Sequence, residues 1–515
     1  MHSDCTLNAL PKASEAVFEA APQANQRWLV AWLGVVALAI LATRLPWLPK
    51  QVWDHDSANF ARSLSNFDLH AHSPHAPGYP VYVALARLAQ AVGVDPAAAL
   101  AWPAAVLAVV TALAVAATVH VLAGSTAVDR SSEPDWRPIT AALAYALLPS
   151  AWLGDLAPRP DGLAAHGVVL AGCALLTGRA GWRPGLPLAA LALGLSLGIR
   201  LSNWPLVALL SLWLPRRWWP LLALAVAGWL VPLVLLSGGL RPFWQLTTTF
   251  GHGHFADWGN TAFAVHAQTN WPLATRLGQW AAHVLDQGGL ALAVVLALAV
   301  WAGWRQSLAL AGLTQIHRVL AATAAALLAY ALWLVVAQNP DHPRHVWPLL
   351  ALAAAAAVVA TGVWLPPRVA TLGLSVVAAV GLVHGAAAVP WSHQPCPDAA
   401  LAALVAAQPA EQFAVAGGSE IGPIRALAPS VRSVKIAALS QADAALAPHG
   451  SWPQRAWLSV RGPFTAVPAG LGPHWQPIAH FAARPHFDSP ALALTVYQAL
   501  TPASLAGQQR PGARP

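Results

Sequence analysis

Long runs of apolar residues constrain the fold of this chain more than any other feature. A bilayer has about 30 Å of hydrocarbon, and a helix that rises about 1.5 Å per residue needs roughly 20 apolar residues to cross it. Runs of about this length lie at 28–48, 97–123, 138–153, 162–178, 185–200, 203–215, 218–237, 284–304, 318–337, 346–364 and 369–390. We therefore predict an α-helical polytopic membrane protein with about eleven transmembrane helices.

Charged residues are too scarce for a soluble protein of this size. Asp, Glu, Lys and Arg make up 9% of the 515 residues, against a usual share of about a quarter. Such a chain could not cover a surface exposed to water. The net charge of +8 comes mainly from arginines in short loops, without the basic stripe of a nucleic-acid-binding protein, so we exclude nucleic acid as a partner. The three cysteines are spaced for neither a zinc site nor a disulfide framework.

The arginines also predict the orientation of the chain in the membrane. When the N-terminus is placed in the cytoplasm, most loop arginines fall on the cytoplasmic side and most loop aspartates on the other, as the positive-inside rule requires. This orientation places the polar loop 49–96 and everything after Trp391 on the outer side.

Four segments are predicted along the chain. Residues 1–26 form a cytoplasmic tail, 27–390 a transmembrane domain, 391–502 an outer (periplasmic) α/β domain and 503–515 a disordered tail. The α/β prediction rests on short β-prone runs after Trp391 that are separated by glycine and proline turns.

Two helices are predicted within the outer loop. Residues 57–67 place Phe60, Leu64 and Phe67 on one helical face, which is the pattern of a helix that lies in the membrane interface. A second interfacial helix is predicted over 80–92, because proline at its first position suits a helix start.

An acidic cluster directly follows the first apolar run. Asp54 and Asp56 lie two residues apart in a loop, so their carboxylates can converge on one cation or on one acceptor hydroxyl, and either can act as a general base. The alternative is structural, since Asp56 or Ser57 can simply cap the following helix.

Three histidines follow in a segment rich in proline and glycine. His70, His72 and His75 could bind a metal or, when protonated, a phosphate, although a plain surface turn is the simpler interpretation for metal. The rigid loop up to Tyr79 would hold His75 still.

Few arginines lie on the predicted outer side, so each of them is a candidate for a functional role. Arg344 and His345 lie directly before a predicted span, where a guanidinium can hold a phosphate in bidentate geometry or anchor a lipid headgroup. Arg200 ends an apolar helix, where a charge is costly unless it faces a cavity or the interface. A further turn places Arg159 between Asp155 and Asp161.

These motifs together resemble those of the GT-C superfamily of integral-membrane glycosyltransferases. The likeness rests on the acidic loop at 54–56, the run His-Ala-Pro-Gly-Tyr-Pro at 75–80, the Gly-Ile-Arg at 198–200 and the loop 340–345 before a span. It covers about residues 28–390. The chain is most similar to the branch that includes the protein O-mannosyltransferases and the lipid A aminoarabinose transferases.

The resemblance implies a GT-C-like fold and a multi-pass protein of the bacterial inner membrane. Such enzymes take a sugar from a polyprenyl-phosphate donor and transfer it to a lipid, glycan or protein acceptor on the outer face. Asp54 would then be the base and Asp56 the second acidic residue. The family's frequent Asp-Glu pair is here Asp-His-Asp, which leaves open which carboxylate acts and whether Asp54 and Asp56 hold a divalent cation. The implied donor-phosphate residues are Arg344, His345, Arg159 and Arg200, and the implied positioning residues are His75, Tyr79 and Asp155.

Two other functions remain open at this stage. A transporter or flippase of lipid-linked sugars would place its charges within the spans and often shows inverted repeats, and neither feature is apparent. A non-catalytic scaffold that presents the C-terminal domain would not need an acidic cluster and a late arginine on one face.

Overall fold

The structure is a computed structural model. It describes residues 23–126, 134–264, 271–307 and 315–409, and in the C-terminal region 413–417, 421, 424–425, 430–436, 441–442, 446, 455–461, 475–484, 488 and 493–499. Most of the predicted cytoplasmic tail 1–26, and all of the predicted disordered tail 503–515, lie outside the described residues.

Helices dominate the first four hundred residues. In the described part of the chain they are α1 (Gln23–Arg44), α2 (His55–Ser65), α3 (Pro80–Ala91), α4 (Pro96–Thr126), α5 (Arg137–Ala146), α6 (Pro149–Asp155), α7 (Pro160–Arg179), α8 (Gly185–Ile199), α9 (Trp204–Ser211), α10 (Trp219–Leu236), α11 (Leu240–His252), α12 (Leu273–Ser307), α13 (Gln315–Ala337), α14 (Trp347–Trp364), α15 (Pro367–Ala388) and α16 (Pro397–Ala406).

Eight stretches of these helices are long and apolar enough to cross a membrane, so the prediction of a polytopic helical membrane protein is confirmed. Each of the eleven predicted runs is largely helical, but three fall short of that length. The run at 138–153 is divided into α5 and α6, because Pro149 starts a new helix at its first turn. The runs at 185–200 and 203–215 form α8 and α9, which are 15 and 8 residues long.

Both predicted helices of the outer loop are present, as α2 and α3. Their apolar faces contact protein as well as each other: Phe60 is 2% exposed and packs in one cluster with Tyr82 of α3 and Leu100 of α4. The face that the sequence assigned to the membrane interface is therefore largely buried inside the protein. This burial fixes α2 against the transmembrane domain.

The C-terminal region contains a five-stranded sheet in the order β2-β1-β3-β5-β4. The strands are β1 (Phe413–Gly417), β2 (Arg432–Lys435), β3 (Arg455–Arg461), β4 (Trp475–Phe481) and β5 (Leu494–Ala499). β1 pairs in parallel with β2 and β3, whereas β5 pairs antiparallel with β3 and β4. The predicted α/β architecture is confirmed.

One strand is not apparent from the sequence. β4 contains Pro477, which lowers strand propensity, and its pairing register shifts between Pro477 and Ala479. The strand lies at the edge of the sheet, where a residue without an N–H group is tolerated.

The sidedness of the acidic loop can be measured directly. Ser57 is fully buried, so exposed Ser65 is the better labelling position. In a chain with Cys5, Cys173 and Cys396 replaced, we expect Ser65→Cys to react with a membrane-impermeant maleimide in intact spheroplasts. Arg216→Cys, in a predicted cytoplasmic loop, is the matched control and should react only after lysis. Labelling of Ser65→Cys only after lysis would contradict the predicted orientation.

Candidate functional site

The acidic pair lies at the start of α2, where Asp54 is the N-cap. Asp54 Oδ1 accepts a hydrogen bond from the backbone N–H of Ser57 at 2.9 Å, and Ser57 Oγ accepts from the backbone N–H of Asp54 at 2.8 Å. This reciprocal arrangement is a capping box. The cap uses only one oxygen of Asp54, so the structural role does not exclude a chemical one.

Two arginines from distant segments contact the two carboxylates. Arg159, the residue before α7, donates from Nη2 to Asp54 Oδ2 at 2.5 Å. Arg344, in the 3₁₀ turn before α14, donates from Nη2 to Asp56 Oδ2 at 2.8 Å, and its Nη1 lies 3.9 Å from Asp54 Oδ2. The first loop and the late loop therefore meet at one end of the spans.

A third carboxylate joins the remaining arginine to this cluster. Asp161, in the first turn of α7, accepts a hydrogen bond from Arg200 Nη1, and Arg344 Nε lies 3.8 Å from the same oxygen. Arg200 also contacts His345 Nδ1. Asp161 is not among the predicted site residues. An acidic residue in the first turn of a span at the predicted outer end is the signal that could have identified it, since it also suits the helix dipole.

His75 and Tyr79 lie beside the acidic pair. His75 Nδ1 is 3.9 Å from Asp56 Oδ1, and His75 Nε2 is 3.0 Å from the Tyr79 hydroxyl. Gly78 has a φ of +105°, and an added Cβ there would lie 2.9 Å from a Leu233 methyl group. The glycine thus allows the loop to pass close to α10 and to hold His75 against the cluster.

Burial and charge act against each other on these side chains. Burial alone would raise the pKa of the Asp54 carboxyl, but Arg159, Arg344 and the cap more than offset it and hold that pKa well below its usual value. Burial lowers the pKa of His75 despite nearby Asp56, so His75 is neutral at pH 7. Burial also raises the pKa of Tyr79 to about 12, so its hydroxyl keeps its proton.

The cluster contains donor atoms that could bind an anion. Arg159 Nε and Arg344 Nη1 are buried and have no hydrogen-bond partner among the described residues. Buried polar groups are normally paired, so two guanidinium donors without partners mark a place for a ligand. Three guanidiniums face three carboxylates, and the resting cluster is close to neutral overall.

Asp155 lies in a different network. Its carboxylate accepts from Arg44 Nε at 3.2 Å and lies 2.5 Å from His166 Nε2, whose Nδ1 is 3.0 Å from the Tyr145 hydroxyl. Both Arg44 and Asp155 are fully buried. The structure therefore places Asp155 between α1, α5 and α7, apart from the other predicted site residues, where it holds these helices together.

Metal ligands are not grouped in the described parts of the chain: no set of three or more His, Cys, Asp or Glu side chains is placed to hold an ion. Asp54 and Asp56 both face guanidinium groups. His70 and His72 line a groove with Pro242 and Phe250, and His70 Nε2 lies 3.4 Å from the Ser237 carbonyl.

Asp54 should give the protein an acid-dependent stability. Its folded pKa lies below the unfolded value of about 3.9, so its contribution is fully present above about pH 4 and is lost as the pH falls through the folded pKa. We expect the melting temperature in detergent to fall below about pH 4. Asp54→Asn, which keeps a good N-cap residue, should make the fall in melting temperature below about pH 4 smaller. The control Asp95→Asn removes an exposed carboxyl and should leave that fall unchanged. The same fall in melting temperature in both variants would refute the assignment.

Comparison with known proteins gives structural likeness only. No protein-family model matches the chain, and no curated protein matches it. Among solved structures the chain is similar to ArnT from Cupriavidus metallidurans bound to undecaprenyl phosphate, with 13% identity, a TM-score of 0.49 and coverage of 92% of this chain and 98% of that one.

Two further likenesses are to larger proteins. An Archaeoglobus fulgidus oligosaccharyltransferase shares 14% identity at a TM-score of 0.45, over 78% of this chain and 62% of that one. The arabinosyltransferase EmbB from Mycobacterium smegmatis shares 17% identity at a TM-score of 0.37, over 70% and 31%. With TM-scores below 0.5 these likenesses support no statement about activity.

Proposed function

We propose that this chain is an integral-membrane glycosyltransferase of the bacterial inner membrane. It moves a sugar from a polyprenyl-phosphate donor to an acceptor hydroxyl or amine on the outer face. The observation that carries the proposal is the convergence of Arg159, Arg200 and Arg344 with Asp54, Asp56 and Asp161 at one end of the spans. Such a site can bind an anionic leaving group beside a general base.

The arginines fit the phosphate of the donor. Guanidinium groups hold phosphate oxygens in bidentate geometry, and the buried Arg344 Nη1 and Arg159 Nε supply donors without partners among the described residues. As the bond from C1 to the phosphate oxygen breaks, negative charge grows on the departing polyprenyl phosphate. Preorganised guanidiniums stabilise that charge, so little help from a general acid is needed.

An apolar groove beside the cluster fits the lipid part of the donor. It has a volume of about 360 Å³ and lies between α9 and α13, which contribute Trp204 and Trp333 to its lining, with the two rings in edge-to-face contact at 5.4 Å. Trp204 follows Arg200 by four residues, and Tyr330 of α13 donates from its hydroxyl to the His345 carbonyl at 3.2 Å. A polyprenyl chain in this groove would place its phosphate near Arg200 and His345.

The resting contacts fit a base that donor binding would activate. In the structure Asp54 has both oxygens occupied and a lowered pKa, so it is a weak base. A phosphate that draws Arg159 and Arg344 toward itself removes the charges that lower this pKa, and the carboxylate becomes more basic. Donor binding thereby prepares Asp54, with the more exposed Asp56 beside it, to take the acceptor proton.

The reaction is a single displacement. The acceptor oxygen or nitrogen attacks C1 of the sugar, its proton passes to the carboxylate, and the electron pair of the C1–O bond leaves with polyprenyl phosphate. His75, neutral and fixed by Tyr79, faces Asp56 and helps to orient it. A transporter site would be expected near the bilayer midplane, whereas this cluster lies at the helix ends.

Loss of the central charges should slow transfer strongly. In vesicles supplied with a panel of polyprenyl-phosphate sugars, we expect Asp54→Asn to lower kcat by about 10²–10⁴. Arg344→Gln should lower kcat/KM by about 10²–10³, and Arg344→Lys should recover only part of this, because lysine keeps the charge but not the bidentate geometry.

Matched controls separate the loss of charge at the site from a general effect of substitution on folding. Asp95→Asn and Arg241→Gln change exposed residues outside the cluster and should transfer at the wild-type rate. Asp54→Asn and Asp56→Asn variants that both keep wild-type activity would remove the proposed role of the acidic pair.

Stereochemistry tests the displacement itself. A single in-line attack inverts the anomeric carbon, so the product should have the opposite anomeric configuration to the donor. The coupling constant of the anomeric proton in the purified product gives this directly by NMR. Retention would exclude the mechanism.

A further inference from the structure

The segment that leads into the C-terminal domain runs beside the segment that leads into the acidic loop. The rings of Trp47 and His393 lie 5.0 Å apart, and Ser392 Oγ donates to the Trp47 carbonyl at 3.4 Å. Further along, Cys396 donates from its thiol to the Trp53 carbonyl. The C-terminal domain is therefore attached to the residue that directly precedes Asp54.

Two guanidinium groups lie over the ring of Trp53. Its side chain is 2% exposed, with Arg484 Cζ 4.2 Å and Arg159 Cζ 5.8 Å from the ring centroid. Cations over an aromatic ring are attracted to its face, and most strongly so when water is excluded. Arg159 is also the partner of Asp54, so the ring links the C-terminal domain to the site.

Arg484 is itself fixed in place. It forms a bidentate pair with Asp488, at 2.8 and 3.0 Å, and donates from Nη1 to the Gln394 carbonyl at 3.3 Å. Arg484 is 2% exposed and Asp488 has its side chain 3% exposed. A buried, paired guanidinium of this kind holds one geometry.

We infer that the C-terminal domain positions Asp54 through the contact of Arg484 with Trp53. The backbone N–H of Trp53 donates to Ser57 Oγ at 2.8 Å, and the backbone N–H of Ser57 donates in turn to the Asp54 carboxylate that caps α2. A displacement of Trp53 therefore moves both the cap and the Asp54 carboxylate relative to Arg159. Arg484 is a positioning residue, because it acts through Trp53 and not on the reacting atoms.

This inference rests on the proposed function for its catalytic consequence, but the positioning can be measured without transfer. The full-length protein in nanodiscs is compared as wild type, Arg484→Gln, Arg484→Lys and Asp488→Asn. Arg455→Gln is the matched control, since Arg455 is an exposed arginine of the same domain that bonds Gln408. Hydrogen exchange is followed at the amides of residues 53–57, with those of α14 as an internal reference.

For Arg484→Gln we expect exchange at residues 53–57 to be about fivefold to tenfold faster, with α14 unchanged. The kcat of transfer should fall by a similar factor while the donor KM stays at its wild-type value. Arg484→Lys, which keeps a cation over the ring, should recover part of both effects, and Asp488→Asn should resemble Arg484→Gln.

Three outcomes overturn the inference: unchanged exchange at residues 53–57, equally faster exchange in Arg455→Gln, or faster exchange with an unchanged kcat. A wild type that transfers no sugar refutes the proposed function instead. The exchange comparison still decides in that case whether Arg484 holds the loop.

Discussion

The arrangement of this protein depends on charges that are buried at the ends of membrane-spanning helices. A guanidinium removed from water is costly unless a carboxylate and further hydrogen bonds compensate it. Arg159, Arg200 and Arg344 meet this requirement with Asp54, Asp161 and Asp56, and each pair joins segments far apart in the chain. The same pairs fix α2, α7, α8 and α14 relative to one another. Binding an anion in this place must therefore exchange partners within a set that also holds the helices.

Much of this arrangement could be predicted from the sequence, because hydropathy and loop charge are local properties. Apolar runs located the spans, and the two polar loops that flank spans located Asp54, Asp56 and Arg344. Helical spacing located α2 and α3. These features depend on the residue types within about 20 positions of each other, which is the range over which a single sequence carries a clear signal.

The rest depends on long-range partners, which no local pattern encodes. Asp155 and Asp161 stand in one turn with similar neighbours, yet one pairs with Arg44 inside the membrane domain and the other joins Arg200 and Arg344. The difference arises because α6 ends at Asp155, whereas α7 begins just before Asp161. Likewise Arg484 could not be assigned to Trp53, since their proximity requires the C-terminal domain to dock on the first outer loop.

The groove between α9 and α13 has a consequence for measurement. Its walls include residues that are well exposed on the membrane-facing side, among them Trp204 at 48% and Leu332 at 60%. A ligand that arrives there diffuses in two dimensions, so its effective concentration is its mole fraction in the bilayer and not its amount per volume. Detergent tails of similar shape have access to the same groove, and saturation curves measured in micelles would report competition with the detergent as well as affinity for the ligand.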